Sequence, residues 1–309
     1  TSVRCEAERP PRACPTKSAM RASAPTNDSS SATASGPCSW MRPVTPSKIL
    51  LRRSSGRSLA PDIRAVYVTD DLDAADVLRK RWDRQLPDVP LVIPEINAGR
   101  IRDHKGIIAN PNCAAITALV PLWPIHRANR IKRVILSTYQ AASGAGAAAM
   151  EELVESTRAS LEGRPFTPKV IPHPYAFNVF SHNTAIDPET GYNDEETKVI
   201  KETRKIFEDE QIAIGVTCVR VPVLRAHCEA ITFECEKPIT EDEVRAILSK
   251  APGVRIVDDR AKNYFPMPID ASGQDDVLVG RIRKDLSDPS GRSISMFVSA
   301  DQLLKGAAL

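Results

Sequence analysis

Beyond about Asp88 the chain alternates short β-branched apolar runs with segments of helical period, which restricts it to a sheet carrying helices. Val89 to Pro94 reads as a short strand bounded by prolines. A helical or mixed segment follows to about Ala128, then a strand from Arg133 to Tyr139 and a helix from Ala147 to Leu161 that stops at Gly163. After a proline-rich loop, acids lead and bases trail in a helix from Asp194 to Glu208. Its apolar face is Val199, Ile200, Thr203, Ile206 and Phe207. Ile212 to Pro222 and Cys228 to Glu236 alternate well enough to pair as neighbours through Val223 to His227. Thr240 with Glu243 opens a helix to Lys250, and strands near Val277–Arg283 and Ser293–Val298 complete the sheet. A short helix starts at Ala300. The expected class is α/β, with an α+β catalytic domain whose mixed sheet carries helices.

Residues 1–60 differ in kind. They are crowded with Ser, Ala, Pro and Arg, hold few acids and show no apolar period, as in a transit peptide or a mistranslated stretch. Order resumes weakly with a strand at Arg64–Val68 and a helix from Leu72 to Trp82. The expected division is a leader over 1–60, a nucleotide-domain remnant over 61–112, a catalytic and dimerisation domain over 113–299, and a C-terminal helix over 300–309.

The net charge of +3 gives no basic surface for nucleic acid, and no apolar run is long enough to span a bilayer. Seven cysteines without a Cys-x-x-Cys pair fit reduced thiols in the cytoplasm or a plastid better than disulfides or zinc. No metal site is expected.

Cys113 carries the chemistry. It stands in Asn-Pro-Asn-Cys (110–113), where a proline turn meets a helix-forming run, and a helix N-terminus favours thiolate over thiol. Gln140 ends a strand, where open sheets place reactive groups. His227, expected on a turn, is the candidate proton carrier because histidine titrates near neutrality. Arg220 lies in an alternating apolar strand and needs a partner, for which a carboxylate is the natural choice. Glu195 and Lys198 are three apart on one helix and can share a pocket. Ser143-Gly144-Ala145-Gly146, ahead of a helix, can turn backbone N–H groups to an anion.

Asn-Pro-Asn-Cys (110–113), Ser-Thr-Tyr-Gln-Ala-Ala-Ser-Gly-Ala-Gly (137–146) and Val-Arg-Val-Pro-Val-Leu-Arg-Ala-His (219–227) together resemble the signature stretches of the aspartate-semialdehyde dehydrogenase family. Pro-His-Pro-Tyr-Ala-Phe-Asn-Val (172–179) and Glu-Glu-Thr-Lys (195–198) are similar to it too, so the resemblance covers about 87 to 309. It implies NADP-dependent interconversion of aspartate semialdehyde plus phosphate with 4-aspartyl phosphate through a cysteine thioester, in amino-acid biosynthesis, by a homodimer or homotetramer. It makes Cys113 the nucleophile, His227 the general acid/base and Gln140 the group that orients the acyl intermediate. Arg220 takes the substrate α-carboxylate and Glu195 the amino group. Lys198 and Asn112, with Arg84 at the place of a phosphate-binding arginine, serve phosphate. Ser143 and Gly144 line the nicotinamide.

The family's Gly-x-x-Gly-x-x-Gly turn has no counterpart ahead of Cys113, where Gly36 and Gly56 stand far from such a pattern. The resulting expectation is poor NADP binding and impaired activity in this chain. The competing readings are a non-catalytic dimerisation subunit and a related thiol-dependent acyl-phosphate reductase. The four groups at 113, 140, 220 and 227 are expected to converge on one pocket.

Overall fold

The computed structural model describes residues 89–104 and 108–307. Along the chain come α1 (Pro94–Asn97), α2 (Cys113–Ala128), β1 (Ile131–Gln140), α3 (Ala147–Leu161), β2 (Phe180–Ser181), α4 (Asp194–Phe207), β3 (Ala213–Arg220) and β4 (His227–Cys235). Then follow α5 (Glu241–Leu248), β5 (Val254–Ile256), α6 (Pro268–Ala271), β6 (Val277–Lys284) and β7 (Ser293–Ala300). The strands form one seven-stranded mixed sheet in the order β2-β3-β1-β4-β7-β6-β5.

α2 is the central helix, and its composition explains its place. Ala114 through Leu122 and Ile125 are all buried, so the helix has no polar face to show to water. It packs with α4, α5 and the middle of the sheet, and Leu119, Leu122, Ile125, Val134, Ile231 and Phe233 belong to the resulting core. α4 is amphipathic as its pattern requires. Asn193 and Glu196 form a capping box at its start, and Val199, Thr203, Ile206 and Phe207 are buried. The capping box at Thr240 and Glu243 forms as read.

The sheet corrects three expectations. The run Val89–Pro94 is not a strand: Leu91 makes a single bridge to Ala109, and α1 starts at Pro94. Proline at 90 and 94 removes ladder donors, and the Ile93 N–H is taken by Asn97 Oδ1 at 2.8 Å.

β3 and β4 do not pair. β1 lies between them, parallel to β3 with Gln140 opposite Arg220 and antiparallel to β4 with Tyr139 opposite Cys228. Alternation fixes which side chains face the core but not which strand stands next to which. The segment 221–226 therefore crosses the end of β1, with Val221 N–H on Gln140 O at 3.1 Å and Ala142 N–H on Val223 O at 2.8 Å.

β7 continues through Ala300, and a turn of π-helix at Leu303–Ala307 replaces the expected helix from Ala300. The strand at 64–68, the helix at 72–82, the missing glycine turn and Arg84 lie outside the described residues, as do all readings of the leader.

Candidate active site

The ends of β1 and β3, the start of β4 and the N-terminus of α2 meet at one place. Cys113 is the first residue of α2, and its Sγ lies 3.6 Å from His227 Nε2. The second ring nitrogen, Nδ1, accepts the Ala141 N–H at 3.0 Å. His227 is thus not on a turn as expected. It opens β4 and is fully buried, and burial, then Arg220 and His182, push its pKa well below the ordinary value.

Asn112 caps α2, its Oδ1 taking the N–H groups of Ala114 at 2.9 Å and Ala115 at 3.2 Å. Its own N–H goes to Glu202 Oε2 at 2.5 Å. Most of the positive helix end is therefore already occupied. Burial raises the Cys113 thiol to about 12, and Glu195 and Glu229 add to this, against Arg220 and the Ala114 N–H. The expected thiolate preference is reversed, because desolvation outweighs the helix terminus.

Glu195 is buried and sits between two amides. Asn112 Nδ2 donates to Oε1 at 2.8 Å and Gln140 Nε2 donates at 3.3 Å. Burial acts to raise its pKa, yet His182, Asn112, Lys198 and Gln140 together bring it below the usual value, so it is a carboxylate. Lys198 Nζ is 3.9 Å from Glu195 Oε2 and a third exposed.

Arg220 is buried, and its expected carboxylate partner is missing among the described residues. Nε donates to Asn183 Oδ1 at 3.3 Å and Nη1 to Ala141 O at 3.2 Å. A buried guanidinium satisfied only by neutral oxygens is set up to receive an anionic group.

Ser143 and Gly144 complete the wall. Ser143 Oγ accepts from Gln302 Nε2, and Gln302 Oε1 accepts the Ala226 N–H at 3.1 Å. A Cβ on Gly144 would stand 2.9 Å from His227 Cε1 and 3.1 Å from Arg220 Nη1, so only glycine lets the backbone lie this close to the imidazole and the guanidinium.

Sequence reasoning missed several neighbours. His182 lies beside Arg220 and Glu195, and burial lowers its pKa to about 4. Asn183, Glu202, Glu229, Asp301 and Gln302 also escaped notice. Only the Ser-His-Asn-Thr run at 181–184 gave a local sign, a polar cluster after an apolar loop. Among the described residues no cluster of side chains could hold a metal ion, and no helix is long and apolar enough to cross a membrane.

Comparison with known proteins gives a consistent result. The family described as "Semialdehyde dehydrogenase, dimerisation domain" matches residues 122–305. The chain is 52% identical over 226 residues to an aspartate-semialdehyde dehydrogenase of Synechocystis, covering 73% of this chain and 66% of that protein. It is 50% identical over 259 residues to the Aquifex aeolicus aspartate-semialdehyde dehydrogenase, covering 82% of this chain and 74% of that one. The crystal structure of Vibrio cholerae aspartate semialdehyde dehydrogenase II complexed with ASA superposes with a TM-score of 0.69 at 40% identity, over 75% of this chain and 67% of that chain. The chain thus spans about two thirds to three quarters of the length of these relatives.

Proposed function

The chain belongs to the aspartate-semialdehyde dehydrogenase family, and we propose that its pocket performs that family's reaction, joining aspartate semialdehyde and inorganic phosphate as 4-aspartyl phosphate with NADP as oxidant, or the reverse in amino-acid biosynthesis. The observation that carries this reading is the contact of Cys113 Sγ with His227 Nε2 at 3.6 Å, beside a buried arginine that lacks a carboxylate partner among the described residues.

Each group then has a task suited to its chemistry. Cys113 adds to the carbonyl carbon and carries the acyl group as a thioester, which phosphate cleaves. Arg220 takes the substrate α-carboxylate in place of Asn183 and Ala141. Glu195, ionised and held by Asn112 and Gln140, faces the substrate ammonium. Gln140 orients the acyl oxygen, and His227 is the general acid/base that takes the thiol proton as the sulfur adds and returns it when the thiol is released. Lys198 is placed to meet phosphate, with Asn112 and, beyond the described residues, Arg84. Ser143 and Gly144 would hold the nicotinamide, which supplies the hydride acceptor when bound.

We further infer a homodimer or homotetramer. The support is the family's description and the face of the sheet opposite α2, where Ile135 and Tyr139 of β1 are exposed and Tyr139 meets Phe297 of β7 with the rings tilted. The free cysteines suit a reducing compartment, the cytoplasm or a plastid.

The test is NADP reduction by the full chain with aspartate semialdehyde. It should require phosphate and vanish in Cys113→Ala. Turnover that survives Cys113→Ala would contradict the assignment.

A further inference from the structure

We propose that the run His182-Asn183-Thr184 is a positioning strap that keeps Arg220 and Glu195 apart as separate charges, so that the pocket stays open to a substrate bearing both a carboxylate and an ammonium. The need for such a device is electrostatic. A buried guanidinium and a buried carboxylate flank the same two residues: Glu195 Oε1 accepts from Gln140 Nε2 at 3.3 Å, and Arg220 Nη1 donates to Ala141 O at 3.2 Å. Opposite charges in one pocket attract more strongly where water is excluded. Yet no ion pair joins these two among the described residues, where Glu195 meets Lys198 at 3.9 Å. Joined, each would quench the group that the substrate needs.

The strap is tied to both. β2 pairs with β3 so that Phe180 stands opposite Arg220, and beyond it the His182 N–H goes to Cys218 O at 2.9 Å. Asn183 Oδ1 then accepts from Arg220 Nε at 3.3 Å. Thr184 Oγ1 accepts the Glu195 N–H at 3.3 Å and meets His182 Nδ1 at 3.2 Å. Ala185 O accepts the Asp194 N–H at 2.9 Å, which fixes the strap to the start of α4. Consecutive residues thus reach from the arginine on β3 to the first turn of the helix that carries the carboxylate. The buried His182 ring lies in the field of Arg220, Glu195 and Lys198. Burial, then Arg220, lower its pKa to about 4, so it brings no charge of its own at neutral pH.

Asn183 suits a temporary holder. It is exposed, whereas Arg220 is buried, and its oxygen is neutral. A neutral acceptor binds a guanidinium more weakly than a carboxylate does, so an arriving carboxylate can replace it without breaking an ion pair. Asn183 therefore stands in for one oxygen of the substrate and acts through Arg220. The class recognised is an α-amino acid. A ligand with only one of the two charges leaves the other buried group without its partner.

This inference rests on the proposed function, but its first test needs no turnover. Asn183→Leu removes the acceptor at similar volume. A crystal structure of that full-chain variant should place an Arg220 nitrogen within about 4 Å of the Glu195 carboxylate. Arg220 left where it stands would overturn the inference. In kinetics, Asn183→Leu should raise the KM for aspartate semialdehyde about tenfold and change kcat by less than about twofold, as loss of ground-state binding does. An unchanged KM, or a fall confined to kcat, also overturns it. Asn183→Asp serves if leucine is not tolerated. Its ionised oxygen grips the guanidinium, so Arg220 should stay off Glu195 while KM again rises about tenfold. An unchanged KM there contradicts the placeholder role. Arg220 moving onto Glu195 in a chain whose parent shows no turnover would count against the functional reading alone.

Discussion

The backbone of Gly306 lies against Cys113 so closely that a Cβ on it would stand 2.7 Å from the cysteine Cβ and 3.1 Å from its Cα. Three contacts hold it there: Asn110 donates to its carbonyl, Lys305 pairs with Glu95, and Asp301 pairs with Arg225 at 2.7 Å. The C-terminal turn is thus a wall of the pocket. Gly306→Ala should lower stability by about 1–3 kcal/mol through overpacking and speed alkylation of Cys113 as the turn lifts away. Denaturation midpoints and alkylation rates left unchanged would contradict this contact.

Ala226 occupies the left-handed region with φ of 70°, one residue before His227. A Cβ there costs roughly 1–2 kcal/mol. Ala226→Gly should be neutral or stabilising by up to about 1 kcal/mol, since added chain freedom offsets part of the relief. Ala226→Val should destabilise by more than about 2 kcal/mol, because a β-branched residue tolerates that conformation least. Urea denaturation of both variants checks the order.

Among the described residues, the donors of Arg220 are met by Asn183 Oδ1 and the Ala141 carbonyl. Lysine keeps the charge but loses the paired geometry. Arg220→Lys should raise the KM for aspartate semialdehyde about ten- to a hundredfold, with a smaller change in kcat. A fall confined to kcat would show that this arginine does not bind the ground-state carboxylate.

Glu229 is fully buried on β4, and neither side-chain oxygen finds a hydrogen-bond partner among the described residues. Burial holds its pKa well above 4.5, so it is folded in as a neutral acid. The sign follows from linkage. Above pH 4.5 the unfolded chain loses this proton while the folded chain keeps it. Its contribution to stability is full below that pH and is lost as pH rises toward the folded pKa, at up to about 1.4 kcal/mol per unit. Glu229→Gln should remove this decline. Unfolding free energies of both proteins between about pH 5 and 8 that run parallel would show Glu229 ionised in the native state.

α3, α4 and α5 are legible in the sequence because their periods and ends depend on local chemistry, whereas the helix expected from Ala300 is not found. The acid-to-base order of α4 and the Thr240 box of α5 act within a few residues. Strand neighbours were not legible. β3 and β4 carry patterns fit for a hairpin, yet β1 inserts between them, and no local signal encodes that choice. The site shared this division. Cys113, Gln140, Arg220 and His227 stood out by type and setting, and the fold brought them together. Ala141 and Gly306 act through backbone, and Gln302 acts across the chain on Ser143, so composition could not mark them. The thiol follows the same division: the helix end that favours a thiolate is visible in sequence, but the burial that outweighs it is not.

The central claim is that Cys113 takes the acyl group. Incubating the full chain with 4-aspartyl phosphate without reduced cofactor stops the reaction at the thioester, where peptide mass spectrometry can find it. The account predicts release of phosphate with one aspartyl adduct on the peptide bearing Cys113, absent in Cys113→Ala. Phosphate release without an adduct on that peptide, or an adduct that persists in Cys113→Ala, would contradict it.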